Sequence, residues 1–477
     1  MANTHQGSQP PSAAGGIFAL TVKPGGGISP IGPIATNFRH SSIRDDTMDI
    51  GLQLDVLGHA EVVVVLSQVL KGRGSKAALD AEGTRQQQQA AYSQVKGLFS
   101  GAVTTRAKAI ASDVRKLKQS GIAALTLKSE YAPNVLYLPN LGILVGSVDR
   151  KGNTALGRKI GKGLDAVIPL PELSLIRPAE GAALAGPPDG IGWGVSKLGA
   201  PKLWDQGITG SGVLIGHLDT GVDDVHPVLN GAVDAYAEFD LIGQQLAGAK
   251  ARDSAWHGTH TAGLIAGRDA GGRRYGMAPE AKLACAMVIE GGKVAARVLA
   301  GMDWCVGQDI KILSMSLGLR GFDPQFQTIM GLVAQRGILP IIAIGNEGPQ
   351  TSRSPGNYPE ALSVGATDVQ DNIWPDSSSQ TLLQPVPPRV VPDVIAPGAE
   401  IWSSQPGGGY RSASGTSMAA PHVAGLAALL WQKKPEATAA EIREAILNSC
   451  VRPAAVVSAR GNRGIPDATL ALAQLNI

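Results

Sequence analysis

Four polar residues occupy positions where a side chain could do chemistry: Asp219, His257, Asn346 and Ser417. Asp219 and Asn346 each come at or near the end of a short apolar run that predicts a buried strand. His257 and Ser417 each open a run of small and apolar residues typical of a helix start. A helix start leaves backbone N–H groups unpaired and carries partial positive charge, which suits an oxygen that becomes negative during a reaction.

Read alone, each of these residues has a plainer structural explanation. A serine before a small-residue helix is typical of an N-cap, and an aspartate before Thr-Gly is typical of a turn. Asn346 before Glu-Gly is typical of a loop of the Asn-Gly type. Together they indicate more, because Asp, His and Ser follow one another in a chain order in which a hydrolytic triad recurs.

Each of these four residues lies within a longer sequence motif. They read DTGVD at Asp219, HGTHTAG at His257, GNEG at Asn346 and GTSMAAPHVAG at Ser417, supported by SMSLG at Ser314 and APG at Ala396. In this order, from about Trp193 to the end of the chain, they resemble the motifs of the subtilisin-like serine proteases, the subtilases. The resemblance implies a subtilisin-like fold and a serine endopeptidase.

The resemblance also implies a role for each residue. Ser417 attacks the peptide carbonyl, and it needs a base because a hydroxyl is a weak nucleophile. His257 is that base and later protonates the leaving amine, since its pKa lies near neutrality. Asp219 accepts a hydrogen bond from the far ring nitrogen and stabilises the imidazolium. Asn346 and the backbone N–H of Ser417 bind the oxyanion of the tetrahedral intermediate.

Substrate binding is implied at two further places. Residues Ser316, Leu317 and Gly318 resemble the family segment that pairs with an extended peptide, which is strand addition to a sheet edge. Arg353 falls where relatives place a small residue at the floor of the primary specificity pocket. If its side chain points inward, an acidic or small residue before the cleaved bond is favoured; if it is solvated, it says nothing about specificity.

Metals and cofactors are not expected. Many subtilases bind structural calcium after the His-Pro of the Asp motif, but Val228 stands there, and the loop RDAGGRRYG has the arginine pair at 273–274 beside its one hard oxygen ligand, Asp269. His260 has no Glu-bearing zinc motif around it and is predicted to be a structural histidine. The segment Asp371–Arg389 departs from the family pattern and is predicted to be specific to this chain.

Composition bounds the class of protein. The chain has 477 residues, 44% hydrophobic, with a formal net charge of +3. It has no basic run with interleaved aromatic residues and no stretch near the roughly 18 apolar residues of a membrane span, so neither nucleic acid nor a membrane is expected as a partner. Its three cysteines lack zinc spacing, and two sit in apolar runs. The start lacks a secretory pattern, which predicts a cytoplasmic location, with non-classical export as the alternative.

Element patterns divide the chain into four parts. Residues 1–60 are predicted to be a flexible leader, 61–176 a small split α+β domain of ferredoxin-like order, 177–192 an exposed linker, and 193–477 a doubly wound α/β domain with a parallel sheet. In the small domain, the predicted strands are EVVVVLSQVL, IAALTLKSE, VLYLPNLGILVG and AVIPLPELSLI, and the predicted helices are a region from Gln86 to about Gln119 and a piece around Leu156 to Lys162. Many subtilases begin with an α+β propeptide that lies across the active site. The resemblance therefore implies an intramolecular inhibitory domain, with self-cleavage in the linker.

The function expected from the sequence is that of a self-inhibited serine endopeptidase acting on proteins or peptides. One alternative is a dedicated or partner-activated maturation protease with one substrate. Another is a non-catalytic binding protein on the same scaffold, which would have no physical need for an intact triad and oxyanion donor.

Overall fold

The computed structural model describes residues 49–67, 81–100, 135–180, 188–240, 242–290, 294–383 and 388–475. These residues all fall within one compact unit, Asp45–Ile477. Within them, no helix is both long enough and apolar enough to cross a membrane. The predicted leader, apart from its last residues, lies outside the described part of the chain.

A small antiparallel sheet precedes the larger, parallel sheet of the chain. Its strands are β1 His59–Leu66, β2 Val135–Leu138, β3 Ile143–Asp149 and β4 Leu164–Pro169, in the order β2-β3-β1-β4. Its helices are α1 Ile50–Leu57, α2 Ala81–Val95 with a 3₁₀ turn at Lys96–Leu98, and α3 Arg150–Gly157. Strand β1 is central, so both of its faces are buried, which explains its uninterrupted run of valines.

Several predicted boundaries differ from the structure. The small domain begins before residue 60, because Asp49 caps a helix at Ile50–Leu57 that packs on β1. The run VLYLPNLGILVG is a hairpin of two strands, because Gly142 adopts a positive φ of 70° and lets the chain turn. The helix predicted around Leu156 to Lys162 lies at Arg150–Gly157, where Asp149 accepts from the N–H of Gly152. The strand predicted at IAALTLKSE lies outside the described residues.

Helices flank a seven-stranded parallel sheet in the larger part of the chain, which confirms the α/β, doubly wound fold class. The sheet order is β19-β16-β14-β12-β8-β11-β9. The strands from residue 174 onward are β5 Ser174–Leu175, β6 Ala179–Glu180, β7 Gly190–Ile191, β8 Leu214–Asp219, β9 Val233–Glu238, β10 Arg273–Arg274, β11 Lys282–Met287, β12 Ile312–Met315, β13 Leu317–Arg320, β14 Leu339–Ala343, β15 Arg353–Ser354, β16 Leu362–Thr367, β17 Gln380–Leu382, β18 Arg389–Val391, β19 Val394–Pro397, β20 Ile401–Gln405 and β21 Gly409–Ser414.

The helices divide between the two faces of this sheet. They are α4 Trp193–Lys197, α5 Ala200–Trp204, α6 His257–Ala266, α7 Ala295–Gly307, α8 Gln327–Ala334, α9 Thr416–Lys433, α10 Ala439–Asn448, α11 Ser458–Gly461 and α12 Ala468–Gln474. One core holds α6 and α9 against the sheet, and the other holds α7 and α8. Helix α9 is buried from Thr416 to Trp431, as expected for a helix apolar on every side.

The small sheet docks on α7 and α8. Its Val63, Val65 and Leu138 share one hydrophobic cluster with residues of both helices, such as Leu299 and Met330. Burial of apolar surface is the main source of attraction between such faces. The small domain and the larger α/β part of the chain are therefore joined by a continuous core.

Hydrogen bonds attach the hairpin formed by β2 and β3 to helix α7. The carboxylate of Asp303 accepts from the backbone N–H of Leu141 at 2.7 Å and from the side-chain amide of Asn140 at 3.2 Å. The backbone carbonyl of Asp303 accepts from the same amide at 3.0 Å. Asp303 is buried, so these donors replace the water that its carboxylate would otherwise bind.

Candidate active site

Asp219 ends β8, a central strand of the parallel sheet, and is buried. Its Oδ1 accepts from the backbone N–H of Thr220 and from Nδ1 of His257, each at 2.7 Å. Burial alone would raise the pKa of this carboxyl, but the neighbouring charge and hydrogen bond of His257 outweigh it and hold the pKa below its ordinary value. Asp219 is therefore an ionised partner for the imidazole.

His257 is the first residue of α6 and is buried. Gly258 brings its helix against the Asp219 loop, because a Cβ on Gly258 would lie 2.0 Å from the carbonyl oxygen of Gly221. A Cβ on Gly221 would in turn lie 2.0 Å from the carbonyl oxygen of Arg252, in the segment that precedes the helix. Gly221 also has a φ of 118°, which favours glycine. The glycines of the DTGVD and HGTHTAG segments thus have a physical reason, which is the close approach of these two elements.

Ser417 lies in the first turn of α9, where Gly415 is the N-cap and no side chain caps the helix. The N-cap explanation of Ser417 is therefore wrong. Its Oγ instead donates to the backbone carbonyl of Ile176 at 2.7 Å. Nε2 of His257 has no hydrogen-bond partner among the described residues. The structure thus forms the Asp–His link, while the serine hydroxyl is bonded to the chain's own carbonyl and not to the imidazole.

Asn346 holds its side-chain amide in one orientation. Its Oδ1 accepts from the backbone N–H of Thr416 at 2.9 Å and from the Thr416 hydroxyl at 2.8 Å. Because the oxygen faces these donors, the NH₂ group faces the other way and donates to the backbone carbonyl of Arg177 at 2.9 Å. The carbonyls of Ile176 and Arg177 are therefore both engaged, one by Ser417 and the other by Asn346.

The segment that contains these two carbonyls crosses the site between two short strands, β5 and β6. On one side, Ser174 and Leu175 pair antiparallel with Gly318 and Leu317, and the N–H of Ile176 donates to the carbonyl of Ser316 at 3.0 Å. On the other side, Ala179 and Glu180 pair antiparallel with β21. The predicted peptide-binding residues Ser316, Leu317 and Gly318 therefore contact residues of this same chain, 174–176.

The linker predicted at 177–192 is accordingly not free along its length. Its residues 179–180 pair with β21, and Gly190–Ile191 pairs in parallel with Arg273–Arg274. Residues 181–187 lie outside the described part of the chain. Because the residues on both sides of them are paired, Arg177 and Pro178 at the start of the linker lie in the active-site cleft.

Arg353 is buried, so the interpretation in which its side chain is solvated is wrong. Its guanidinium pairs with Glu347, with 2.9 Å between Nε and Oε1, and also donates to the hydroxyl of Ser174 at 3.1 Å and to the carbonyl of Gly318 at 3.2 Å. The positive charge is therefore neutralised by Glu347, and the contact with the cleft segment falls two residues before Ile176.

Other predicted residues lie near the site without entering it. His260 is buried, its Nε2 lies 3.2 Å and 3.1 Å from the carbonyls of Ile401 and Arg411, and burial lowers its pKa to about 3. It is thus a neutral, structural histidine. Asp269 accepts from Arg274 at 2.7 Å and from the N–H of Gly272. Among the described residues, no three His, Cys, Asp or Glu side chains cluster as metal ligands.

The cysteines are all free thiols. Cys285 and Cys305 are buried in the two cores that flank the sheet, and Cys450 is partly buried.

Some residues at the site were not predicted from sequence. Glu347, the partner of Arg353, lies in the GNEG segment, but nothing local indicates the pairing. His217 is a polar residue inside the largely apolar strand β8, Thr261 lies in α6, and both are buried beside Asp219. A polar residue within a buried strand is a usable signal, because burial of a polar group requires a partner.

A parallel sheet that carries a buried Asp–His pair at its carboxyl edge, with a serine at a nearby helix start, defines the class of serine-dependent hydrolases. The subtilase family (Peptidase_S8) matches residues 210–468 of the chain. The chain belongs to the subtilase family.

Individual relatives agree with this assignment. Subtilisin BL of Lederbergia lenta is 34% identical over 261 residues, covering 54% of this chain and 91% of that protein. Subtilisin-like protease PopC of Myxococcus xanthus (strain DK1622) is 34% identical over 314 residues, 57% of this chain and 64% of PopC. Subtilisin E of Bacillus subtilis (strain 168) is 35% identical over 263 residues, 53% of this chain and 64% of that protein. The chain thus spans somewhat less than two thirds of the length of PopC and of subtilisin E.

Proposed function

We propose that the chain is a serine endopeptidase precursor in which Asp219, His257 and Ser417 form the catalytic triad. The observation that carries the proposal is the position of the nucleophile. Ser417 Oγ lies 2.7 Å from a peptide carbonyl oxygen that is presented in an extended strand, as a substrate would be. The Asp219–His257 hydrogen bond supplies the oriented base.

The first chemical step follows from these contacts. The Ser417 hydroxyl leaves the carbonyl oxygen and turns toward Nε2 of His257, which is free to accept its proton. The oxygen then attacks the carbonyl carbon, and the negative charge that develops on the carbonyl oxygen is stabilised by the amide of Asn346 and the N–H of Ser417. His257, now an imidazolium beside Asp219, protonates the leaving amine and an acyl-enzyme remains. Water then hydrolyses the acyl-enzyme by the reverse proton transfers.

The uncleaved precursor is self-inhibited by its own residues 174–180. This segment pairs with the binding strand on one side and with β21 on the other, so another peptide cannot enter while it stays. The small domain holds the segment by docking on α7 and α8. The inhibitory domain is thus part of the same chain.

The bond that self-cleavage breaks is Ile176–Arg177. The carbonyl of Ile176 is the one bonded to Ser417, and the N–H of Ile176 is bonded to Ser316. The next bond, Arg177–Pro178, is a poorer candidate because its leaving group is a proline nitrogen inside a ring. In the precursor, Asn346 contacts the carbonyl of Arg177 and not that of Ile176. The segment therefore moves before Asn346 can bind the oxyanion that forms at Ile176.

Intact mass of the purified wild-type chain and of the Ser417→Ala chain tests the proposal. The expected wild-type products end at Ile176 and begin at Arg177, and Ser417→Ala stays whole. A serine-directed phosphonate should label wild type alone, at Ser417. A Ser417→Ala chain that separates at the same bond, or a wild-type chain that neither cleaves itself, reacts with the phosphonate nor hydrolyses peptides, would contradict the proposal.

Specificity is proposed from the same segment. Ile176 is fully buried, so an aliphatic residue is favoured immediately before the cleaved bond. Because Glu347 neutralises Arg353, the charge gives no preference for an acidic residue there. The Arg353 guanidinium instead meets the hydroxyl of Ser174, which favours a small hydrogen-bonding residue two positions earlier.

A peptide library measures both preferences. Arg353→Ala should lose discrimination at the position of Ser174 while the aliphatic preference at the position of Ile176 persists. Arg320→Ala is the matched control, because the Arg320 side chain is 67% exposed and lies 3.8 Å from the same glutamate. An Arg353→Ala profile that equals that of wild type at the Ser174 position would count against this assignment.

A further inference from the structure

The second oxygen of Asp219 has an unusual partner. While Oδ1 accepts from Thr220 and His257, Oδ2 accepts from the hydroxyl of Thr261 at 3.2 Å, and no other donor contacts it among the described residues. Asp219 is only 2% exposed, so water does not replace a missing donor. The hydrogen bonding of Oδ2 therefore depends on one threonine of α6.

The hydroxyl of Thr261 is held in turn by His217. Nε2 of His217, a residue of β8 two positions before Asp219, lies 2.8 Å from Thr261 Oγ1. His217 Nε2 is 3.8 Å from Oδ2 of Asp219, which is too far for a direct hydrogen bond. His217 thus reaches the carboxylate only through the threonine.

The direction of the protons follows from what each group can donate. Thr261 has a single hydroxyl proton and three nearby acceptors: the carboxylate and the carbonyls of His257 at 3.0 Å and Gly258 at 3.2 Å. A charged acceptor holds a proton more strongly than a neutral carbonyl. If His217 carries its proton on Nε2, it donates to Thr261 and frees that single proton for Asp219.

The tautomer of His217 agrees with this direction. Nδ1 of His217 has no partner among the described residues. A proton on Nδ1 would leave a buried donor unpaired, whereas a proton on Nε2 leaves only an acceptor unpaired, which proteins tolerate better. His217 faces Asp219, His257 and Asp253, and burial lowers its pKa, so the ring is neutral.

We propose that Thr261, oriented by His217, is a positioning residue of the active site: its hydroxyl donates to Oδ2 of Asp219 and so fixes the carboxylate against His257. The pair touches no reacting atom and acts through Asp219. The inference rests on the proposed triad and adds two residues to it. As a consequence, Thr261 and His217 contribute to the basicity of His257 through Asp219.

Removing the hydroxyl has a defined effect. A carboxylate with one donor fewer is more basic, so it stabilises the imidazolium more and raises the pKa of His257. The acid limb of kcat/KM should then move to higher pH, by about one unit or less. The carboxylate is also less well oriented, so kcat above that limb should fall by about tenfold, while KM stays near the wild-type value.

The experiment compares two pairs of full-length variants. Thr261→Val removes the hydroxyl and keeps the shape, and Thr261→Ser keeps the hydroxyl. His217→Leu removes the donor, and His217→Gln keeps an amide donor at similar reach. The pH profile of kcat/KM is measured with a peptide that carries an aliphatic residue before the cleaved bond, and thermal unfolding is recorded for each variant.

The expected result is an upward shift of the acid limb and a lower kcat in Thr261→Val and His217→Leu, with Thr261→Ser and His217→Gln near wild type. Unchanged profiles in the first two variants, or an equal shift in Thr261→Ser, would overturn the inference. If wild type itself has no activity in this assay, with the phosphonate or in self-cleavage, the proposed triad fails and the inference fails with it.

A second measurement needs no activity. In the Ser417→Ala chain, the NMR titration of the His257 ring reports its pKa with and without Thr261→Val. A rise in that pKa supports the inference even if Thr261→Val lowers the yield of active enzyme. An unchanged pKa in a folded chain contradicts it.

Discussion

Buried polar groups around the active site are each held by particular donors and acceptors. The amide of Asn346 is the sharpest case, because two donations from Thr416 decide which end of the amide faces the cleft. A hydrogen bond in a dry site is stronger than in water, and an unmade one costs more. Single substitutions at this scale should therefore change turnover without changing the fold.

Asn346→Ala should lower kcat by roughly 10²- to 10³-fold, which is the general cost of losing one oxyanion donor. The loss acts on the transition state, so KM for a peptide substrate should change little. Steady-state kinetics on self-processed enzyme measure it. Asn372→Ala, at an exposed asparagine of a loop, is the matched control and should retain wild-type turnover. A kcat within a fewfold of wild type in Asn346→Ala would remove Asn346 from the oxyanion site.

Two buried histidines predict how stability depends on pH. Burial lowers the pKa of His260 to about 3 and of His422 to about 4, whereas an unfolded histidine titrates near 6.5. The unfolded chain therefore binds more protons between those values, so the stabilisation is fully present above about pH 6.5 and is lost as pH falls toward 3. The combined loss is of the order of a few kcal/mol.

Urea unfolding of the Ser417→Ala chain between pH 7 and pH 4 measures this loss without self-digestion. His260→Gln and His422→Asn keep an amide donor near the position of the bonded ring nitrogen and cannot titrate. Each should flatten the decline in the free energy of unfolding. A slope that is the same in all three chains would mean that other groups cause the acid sensitivity.

Elements meet at a few close contacts that single residues control. The start of α6 reaches the Asp219 loop only because Gly258 lacks a side chain, and the hairpin of the small domain reaches α7 through Asp303. Both contacts join parts of the chain that are far apart in sequence. Changes at this scale should move one element relative to another.

Asp303→Ala should weaken the attachment of the small domain after self-cleavage. The substitution removes the carboxylate that accepts from the buried N–H of Leu141, which corresponds to about 10- to 100-fold weaker association. Co-elution of the two processed fragments in size-exclusion chromatography measures it. Glu436→Ala, at an exposed acidic residue, is the control. Equal retention of the small domain in both variants would contradict the role of this contact.

The same contact predicts a pH dependence. Burial raises the pKa of Asp303 to about 6, against the partial opposition of hydrogen bonds from Leu141 and Asn140. If release of the small domain restores an ordinary pKa near 4, the docked state binds the proton more tightly. The contribution to docking is then fully present below about pH 4 and is lost as pH rises through about 6.

Retention of the small domain by processed enzyme, measured from pH 5 to pH 8, should therefore decrease as pH rises. Asp303→Asn keeps an oxygen that can accept from Leu141 and has no titrating group, so its retention should depend less on pH. Identical pH dependence in wild type and Asp303→Asn would assign the effect to another residue.

At the scale of the whole molecule, the small domain and the catalytic part share one core. Val63, Val65 and Leu138 of the small sheet pack in the same cluster as α7 and α8. The segment 174–180 then continues from that sheet into the active site. The inhibition that we propose is thus a property of the joined chain, because the docked domain supplies the segment at high local concentration.

The Ser417→Ala chain should consequently unfold in one cooperative transition. All seven tryptophans lie at or after Trp193, so their fluorescence reports the catalytic part, while far-UV circular dichroism reports both parts. The two probes should give the same midpoint, since coincident transitions indicate all-or-none unfolding. A separate, earlier transition seen only by circular dichroism would show that the small domain unfolds independently.

The sequence by itself determined the residue types of the site and the elements that carry them. Apolar runs that end at Asp219 and before Asn346 predicted strands of a parallel sheet, and a small-residue run placed Ser417 at a helix start. These predictions succeed because hydrophobic periodicity and helix-start composition are local properties of the chain. Other helices and strands were predicted in the same way, with errors at boundaries that capping by Asp49 and Asp149 determined.

Only the tertiary structure decided which groups face one another. The bond between Ser417 and Ile176 joins residues 241 positions apart, and the pairing of Arg353 with Glu347 depends on the direction of two side chains. Local pattern does not encode such directions, because they follow from the packing of distant elements into one core. For the same reason, the sequence did not predict the contact between His217 and Thr261, which exists only where β8 and α6 meet.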